Sequence, residues 1–202
     1  MIEAKLISTG FKNIAGVDEA GRGACAGPLV IAAVILDNPL SEKFAEVRDS
    51  KALTEKQREQ LYRLIIDNSI SYAIISVTVT EIDSGGVHRA NIEGMRRAVL
   101  GLKSKPEYVL TDGYKIAGLA IPALAIWKGD QVAVSISAAS ILAKVTRDRI
   151  MRELDSEYPS YGMSSHKGYI TKKHSAALAK FGVTEIHRKS FANIAAVIEA
   201  SK

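Results

Sequence analysis

Residues 14–36 read IAGVDEAGRGACAGPLVIAAVIL. The second half, Pro28 to Leu36, is a near-continuous apolar run, the pattern of a strand buried on both faces. The first half is a short apolar stretch, Ile14 to Val17, that ends in two adjacent carboxylates, Asp18 and Glu19. A segment with glycines at 21, 23 and 27 follows, and its simplest reading is a hairpin connection that needs glycine. Outward from this stretch, segments of strand and helix period alternate. Thr54-Glu55-Lys56-Gln57 has the spacing of a capping box with Thr54 as N-cap, and Leu61, Leu64 and Ile65 supply a helical stripe. Ser71 to Thr80 is rich in β-branched residues and predicts a strand. Ala90 to Leu102 predicts a helix with Met95, Val99 and Leu102 on one face. Tyr108–Thr111 and Ala123–Trp127 predict short strands that run into the polar loops Asp112-Gly113 and Lys128-Gly129-Asp130. A long helix is expected from about Ser135 to Leu154. Its first half, SAASILAKV, is rich in small residues and can pack closely on a neighbour. The last fifty residues read as polar loops and two short helices.

This order predicts an α/β fold, a mixed sheet with helices packed on it. The expected division is 1–157 for the sheet-bearing part and 158–202 for a helical C-terminal segment, with the two able to form one continuous domain. The chain has 202 residues, 47% hydrophobic and 24% charged, which is ordinary for a globular protein and excludes a disordered or fibrous one. The single cysteine, Cys25, excludes an internal disulfide and a cysteine-rich zinc site, and it fits a reducing compartment. There is no run of about eighteen apolar residues to span a membrane. The first residues lack the pattern of an export signal, so a cytoplasmic location is expected. Net charge is +5, from 27 Lys and Arg against 22 Asp and Glu. That balance is compatible with a nucleic-acid partner and does not by itself select one.

Four carboxylates occupy similar settings. Asp18 and Glu19, Asp112, and Asp130 each follow an apolar run and stand close to a glycine. Active sites favour the carboxyl ends of strands in α/β sheets, so neighbouring strands would bring all four together. Alternate residues of a strand face opposite sides, so Asp18 and Glu19 share a site only if the strand ends or twists between them. Clustered carboxylates repel, and a divalent cation removes that penalty. Oxygen donors with no paired histidines favour Mg²⁺ or Mn²⁺ over Zn²⁺. Two such ions roughly 3.5–4 Å apart suit phosphodiester hydrolysis. The competing reading of each Asp-Gly is a plain turn. Gly21-Arg22-Gly23 lets backbone N–H groups approach a phosphate or sugar, although neither a P-loop nor a dinucleotide-binding glycine pattern is present.

GVDEAGRG, DSKALT (Asp49–Thr54), LTDG (Leu110–Gly113), KGD, SAASILAKVTRD (Ser137–Asp148), HKGY (His166–Tyr169) and HRKSF (His187–Phe191) stand in this order. In that set the sequence resembles bacterial ribonuclease HII, a type 2 ribonuclease H, over nearly the whole chain. The resemblance implies an RNase H-like fold, a central mixed sheet flanked by helices with a small helical C-terminal part. It implies a metal-dependent endonuclease that hydrolyses the RNA strand of RNA–DNA hybrids. It also implies cutting 5′ of single ribonucleotides in duplex DNA, as in ribonucleotide excision repair, leaving 3′-hydroxyl and 5′-phosphate ends. By the resemblance, Asp18, Glu19, Asp112 and Asp130 are the catalytic and metal-binding acids. Gly21, Arg22 and Gly23 form the loop that senses the ribose 2′-hydroxyl, and Tyr169 packs on the sugar at the RNA–DNA junction. Asp18 and Asp112 are expected to share both ions, with Glu19 and Asp130 completing one each.

The sequence departs from many relatives at Ala24 and Cys25 and over Ile82–Asn91, away from the matched acids. The core begins by residue 14, which disfavours the ribonuclease HIII type with its additional N-terminal domain. Lys51, Lys128, Lys144, Arg147, Lys167, Lys172 and Lys173 are candidate phosphate contacts, each competing with a role as solvated surface charge. Lys51 ranks first because it belongs to DSK, and Lys144 stands four residues before Asp148, with which it can simply pair. His166 and His187 read as hydrogen-bonding or structural residues rather than metal ligands. The tail after Phe191 is Ala-rich and helical and shows no sliding-clamp peptide, and a monomer is the default. A non-catalytic nucleic-acid binder and a structure-specific metal nuclease or phosphotransferase of related fold remain alternatives. Neither explains the acids, the Gly-Arg-Gly loop and Tyr169 together.

Overall fold

The computed structural model describes residues 2–47 and 53–201. Lys51 and most of its DSKALT motif therefore lie outside the described residues. Five strands, β1 (Ile14–Ala20), β2 (Leu29–Leu36), β3 (Ser69–Val77), β4 (Tyr108–Asp112) and β5 (Ala123–Ile126), form one sheet in the order β3-β2-β1-β4-β5. β2 runs antiparallel to both β1 and β3, and β4 and β5 run parallel to β1. The helices are α1 (Ile2–Ser8), α2 (Glu55–Asp67), α3 (Val79–Gly85), α4 (Val87–Leu100), α5 (Val134–Glu157), α6 (Met163–His166), α7 (Lys172–Phe181) and α8 (Ala192–Ala200). This is the mixed α/β architecture expected.

The apolar run of β2 is buried along its whole length, for the reason its pattern suggested. Leu29, Ile31, Ala33 and Ile35 pack with Met95, Ala98 and Val99 of α4 on one face. Val30, Ala32, Val34 and Leu36 pack with Leu61 and Ile65 of α2 and Ala138, Ala139 and Leu142 of α5 on the other. A third apolar cluster joins Cys25, Ala26 and Met151 to Tyr161, Met163, Leu178, Ile186 and Ile194, so residues on both sides of Tyr158 share it. No helix among the described residues is long and apolar enough to cross a membrane.

Three elements differ from their sequence expectation. β1 does not stop at Val17; its pairing with β2 continues through Ala20 opposite Val30, so Asp18 and Glu19 are strand residues. The strand expected to reach Thr80 ends at Val77, because Thr78 opens a new helix. Thr78 Oγ1 accepts from Glu81 N at 3.2 Å and Glu81 Oε2 accepts from Thr78 N at 2.8 Å, a second capping box beside the one at Thr54. The C-terminal segment holds three helices rather than two.

The small-residue half of α5 lies directly on β1. A Cβ added to Gly16 would stand 2.0 Å from the carbonyl carbon of Ser135. Ala133, the N-cap of α5, makes no side-chain cap bond. Glu3 of α1 supplies one from elsewhere in the chain: its Oε1 accepts from Ser135 N and Ser135 Oγ, both at 2.9 Å. The carboxylate is fully buried at the positive end of a 24-residue helix, where that end favours it. Gly16→Ala should therefore lower folding stability by about 3 kcal/mol or more, since backbone rather than a flexible side chain must move. Urea denaturation of the two proteins measures this, and a midpoint within experimental error of wild type would contradict it.

Candidate active site

The register of the parallel pair puts two of the expected acids side by side. Val17 lies opposite Thr111, so the next step along both strands places Asp18 beside Asp112. Both residues have the parity of Gly16 and Leu110, the side of the sheet that α5 covers. β4 ends at Asp112 while β1 continues to Ala20, so Glu19 sits past the end of its neighbour, at the rim of the sheet. A cleft of about 400 Å³ opens there. Asp18, Glu19, Gly21, Arg22, Gly23, Asp112, Ser140, Lys144 and Tyr169 are among its walls. The strand need not end between Asp18 and Glu19 for both to border one space; it only has to outrun β4.

Asp130 does not line this cleft. It lies on a short 3₁₀ turn, Gly129–Gln131, is buried, and borders a separate cavity of about 610 Å³ with Phe44 and Ser137. Its link to the other acids runs through the backbone, because Gly129 N donates to Asp112 Oδ1 at 2.7 Å. The expected convergence of four carboxylates is thus a convergence of three with the fourth one turn away. Among the described residues, no three Asp, Glu, His or Cys side chains already form a ready-made ligand set.

The electrostatics of the cleft centre on Asp18. Its carboxyl is held well above the usual carboxylate range, first by burial and then by the negative charges of Glu19 and Asp112. A hydrogen bond from Ser140 and one from Glu19 N, at 2.7 Å to Asp18 Oδ1, oppose this without cancelling it. Such a set of hard oxygen donors, two of them destabilising a third, fits a divalent cation.

Beyond Ala20 the chain turns at Gly21 with φ of +88°, and a Cβ there would stand 1.8 Å from Arg147 Nε. Arg147 is not a phosphate contact. It is buried, and its guanidinium donates to Pro28 O at 2.9 Å, Lys167 O at 2.9 Å and Ala26 O at 3.1 Å. Arg188 performs the same service from the C-terminal side, donating to Gly27 O at 3.1 Å and Arg22 O at 3.0 Å. Burial pushes the Arg188 guanidinium down to about 10. Cys25 N also donates to Gly168 O at 3.0 Å, and Arg188 N donates to Cys25 O at 2.9 Å. Through these bonds the HKGY and HRKSF segments close on the glycine loop. Tyr169, 41% exposed, comes to lie against Gly23. Arg22 stacks on Tyr114, with 4.8 Å from its guanidinium carbon to the ring centre.

Of the other basic candidates, Lys144 borders the cleft and pairs with Asp148 at 2.7 Å, as its spacing allowed. Lys128, Lys172 and Lys173 are exposed, and burial lowers the amine of Lys167. Sequence reasoning missed Glu3, Ser140, His174 and Arg188. The HRKSF motif pointed near Arg188, but nothing in a lone arginine announces that it is buried. His166, His174 and His187 are all buried behind Tyr169. Burial, then His174, pushes His187 down to about 4, and burial lowers His174 as well.

The chain matches the Ribonuclease HII family model over residues 15–194. It belongs to the ribonuclease HII family. It is 53% identical to ribonuclease HII of Nocardia farcinica over 96% of this chain and 77% of that one. It is likewise 53% identical to ribonuclease HII of Corynebacterium jeikeium, over 98% of this chain and 96% of that one. The crystal structure of ribonuclease H2 from Pyrococcus horikoshii OT3 superposes with a TM-score of 0.80 at 31% identity, covering 93% of this chain and 98% of that one. As a ribonuclease HII family member the chain is a metal-dependent nuclease, a hydrolase of the ribonuclease H class.

Two outcomes follow from the charges. Asp18→Asn should raise the thermal midpoint of the metal-free protein, because it removes a buried charge that two neighbours oppose, and should shrink the gain in Tm on adding Mg²⁺; calorimetry with EDTA and with Mg²⁺ reads both. A histidine whose folded pKa lies below its unfolded one binds fewer protons in the native state, so stability is full above about pH 6.5 and declines as pH falls towards His187's value of about 4. Between those limits His187 alone should remove about 3 kcal/mol. Urea titrations at pH 7 and pH 4 measure the loss, which His187→Gln should reduce.

Proposed function

We propose that this protein hydrolyses the RNA strand of RNA–DNA hybrids and cuts 5′ of single ribonucleotides embedded in duplex DNA, leaving 3′-hydroxyl and 5′-phosphate ends. One observation carries the reading: the three acids border the same cleft as the segment read as sensing the 2′-hydroxyl. Asp18, Glu19 and Asp112 line it together with Gly21, Arg22, Gly23 and Tyr169.

Telling RNA from DNA requires contact with the 2′-hydroxyl, which both donates and accepts. The Gly21–Gly23 backbone supplies such groups; Arg188 fixes it through Arg22 O, and Arg147 and Arg188 fix the residues that follow through Ala26, Gly27 and Pro28 O. Tyr169 presents a ring on which a sugar can pack and a hydroxyl beside it. The same contacts place the scissile phosphate at Asp18 and Asp112, the pair aligned by the parallel strands. Asp18, Glu19 and Asp112 would hold the divalent ions, Mg²⁺ or Mn²⁺, with Asp130 joining from the turn that Gly129 ties to Asp112. Ions held there would supply activation of the attacking water and positive charge to offset what builds on the phosphate oxygens. Lys144, at the cleft's edge, and Lys128, Lys172 and Lys173, on the surface, are left as phosphate contacts that make binding salt-dependent.

The test is cleavage of a labelled DNA duplex carrying one ribonucleotide, with and without Mg²⁺. Wild type should cut only with the cation and only 5′ of the ribonucleotide. Asp18→Asn should lose at least about a thousandfold in kcat, the scale of removing a central electrostatic group. Tyr169→Ala should lose most activity on this substrate while retaining its Mg²⁺-induced gain in Tm. Equal cleavage of an all-deoxyribonucleotide duplex would favour a structure-specific nuclease instead.

A further inference from the structure

Behind Tyr169, three buried histidines use all six of their ring nitrogens. Thr184 N donates to His187 Nδ1 at 3.1 Å, so that nitrogen is an acceptor and the proton of a neutral His187 sits on Nε2. His187 Nε2 lies 3.2 Å from His174 Nε2, which must then accept, leaving the His174 proton on Nδ1. His174 Nδ1 lies 3.1 Å from the carbonyl oxygen of Tyr169 and donates to it. His166 stacks on His174 with ring centres 4.3 Å apart. It accepts from Gly168 N through Nδ1 at 3.2 Å and donates through Nε2 to Tyr161 O at 2.8 Å.

We propose that His187 and His174 are positioning residues for Tyr169: a one-way chain of neutral imidazoles, started by the Thr184 amide, that ends on the Tyr169 carbonyl and holds that residue against the glycine loop. The inference rests on the reading of Tyr169 as the group that packs on the substrate sugar. The turn before it needs such a hold. Lys167 and Gly168 are both left-handed, with φ of 52° and 77°, a conformation a lysine adopts only when its surroundings enforce it. Tyr169 itself is 41% exposed, so its side chain is not fixed by burial. Imidazole suits the task because a donor and an acceptor stand at opposite ends of one rigid ring, so the far bond dictates which end carries the proton.

The chain works only when uncharged. A proton added to His174 Nε2 would face the His187 N–H, and one added to His187 Nδ1 would face the Thr184 amide. The surroundings keep both neutral. His174 meets His166, His187 and the Cys25 thiol, whose Sγ is 3.7 Å from Nδ1. His187 meets His174, Thr184 and the ring of Tyr161. The electrostatic influences on both come from other histidines, with no carboxylate among them.

The experiment compares wild type, Tyr169→Ala, His174→Leu, His174→Asn and the His174→Leu/Tyr169→Ala double variant on the single-ribonucleotide duplex with Mg²⁺. His174→Leu should lose roughly ten- to hundredfold in kcat with KM within about twofold, the signature of a misplaced contact. His174→Asn keeps an N–H near the Nδ1 position and should recover most of that loss. In the Tyr169→Ala background His174→Leu should cost nothing further. Nitrogen-15 NMR of the unaltered protein at pH 7 should show His187 protonated on Nε2 and His174 on Nδ1. Any other tautomer pair, or a charged ring, overturns the proposal even if the leucine variant does not fold. An inactive Tyr169→Ala beside a fully active His174→Leu overturns the positioning role alone. A fully active Tyr169→Ala overturns the reading of Tyr169 and the positioning role with it.

Discussion

The contact between α5 and β1 at Gly16 governs the rest of the structure. A helix carrying small residues can approach a sheet closely only where the sheet offers no side chain, and here Ser135 occupies the space a Cβ would need. That approach sets the height of α5 over the strand ends. One turn and a half further along the helix, Ser140 reaches Asp18. On the same helix, Arg147 reaches the carbonyls of the loop that follows β1. Glu3 anchors the helix start from the N-terminal side. A single close contact thus places the acids, their hydroxyl partner and the guanidinium behind the glycine loop in one frame.

Two buried arginines do in the loop what a strand ladder does elsewhere. The segment from Gly21 to Pro28 has few partners of its own, and its carbonyls would be costly to bury unsatisfied. Arg147 and Arg188 fill that need with two bonds each, to Ala26 and Pro28 O and to Arg22 and Gly27 O, while the backbone of the C-terminal segment takes up Cys25 and Gly27. Neither guanidinium forms an ion pair with a carboxylate among the described residues, and desolvation weakens the hold of both on their protons. The arrangement costs desolvation energy and yields a rigid backbone.

The acidic centre shows the opposite trade. Asp18 is buried beside two like charges in the interior of the strand pair, an arrangement that opposes folding in the absence of a cation. The hydrogen-bonded register of β1 on β4 brings Asp112 to Asp18, and chain adjacency brings Glu19. The family's chemistry depends on a metal, and the burial of Asp18 beside Glu19 and Asp112 leaves a charge that a divalent cation would offset.

By itself the sequence determined the α/β class, the doubly buried β2, the Thr54 capping box and the small-residue helix. Each rests on periodicity or on short-range bonding, which are local properties of a chain. The second capping box, Thr78 to Glu81, was also legible, but the β-branched run before it masked the change of period. Only the tertiary structure decided that Glu19 reaches the cleft, since that follows from β4 being the shorter strand. Likewise, only the structure shows that Asp130 borders a neighbouring cavity, on a turn whose Gly129 N donates to Asp112 Oδ1. Arg147 looked like a surface charge and proved to be buried, and His174 carried no motif at all. Their roles depend on partners more than a hundred residues away in the case of Arg147, and on ring nitrogens whose protons are assigned only once the donors around them are known.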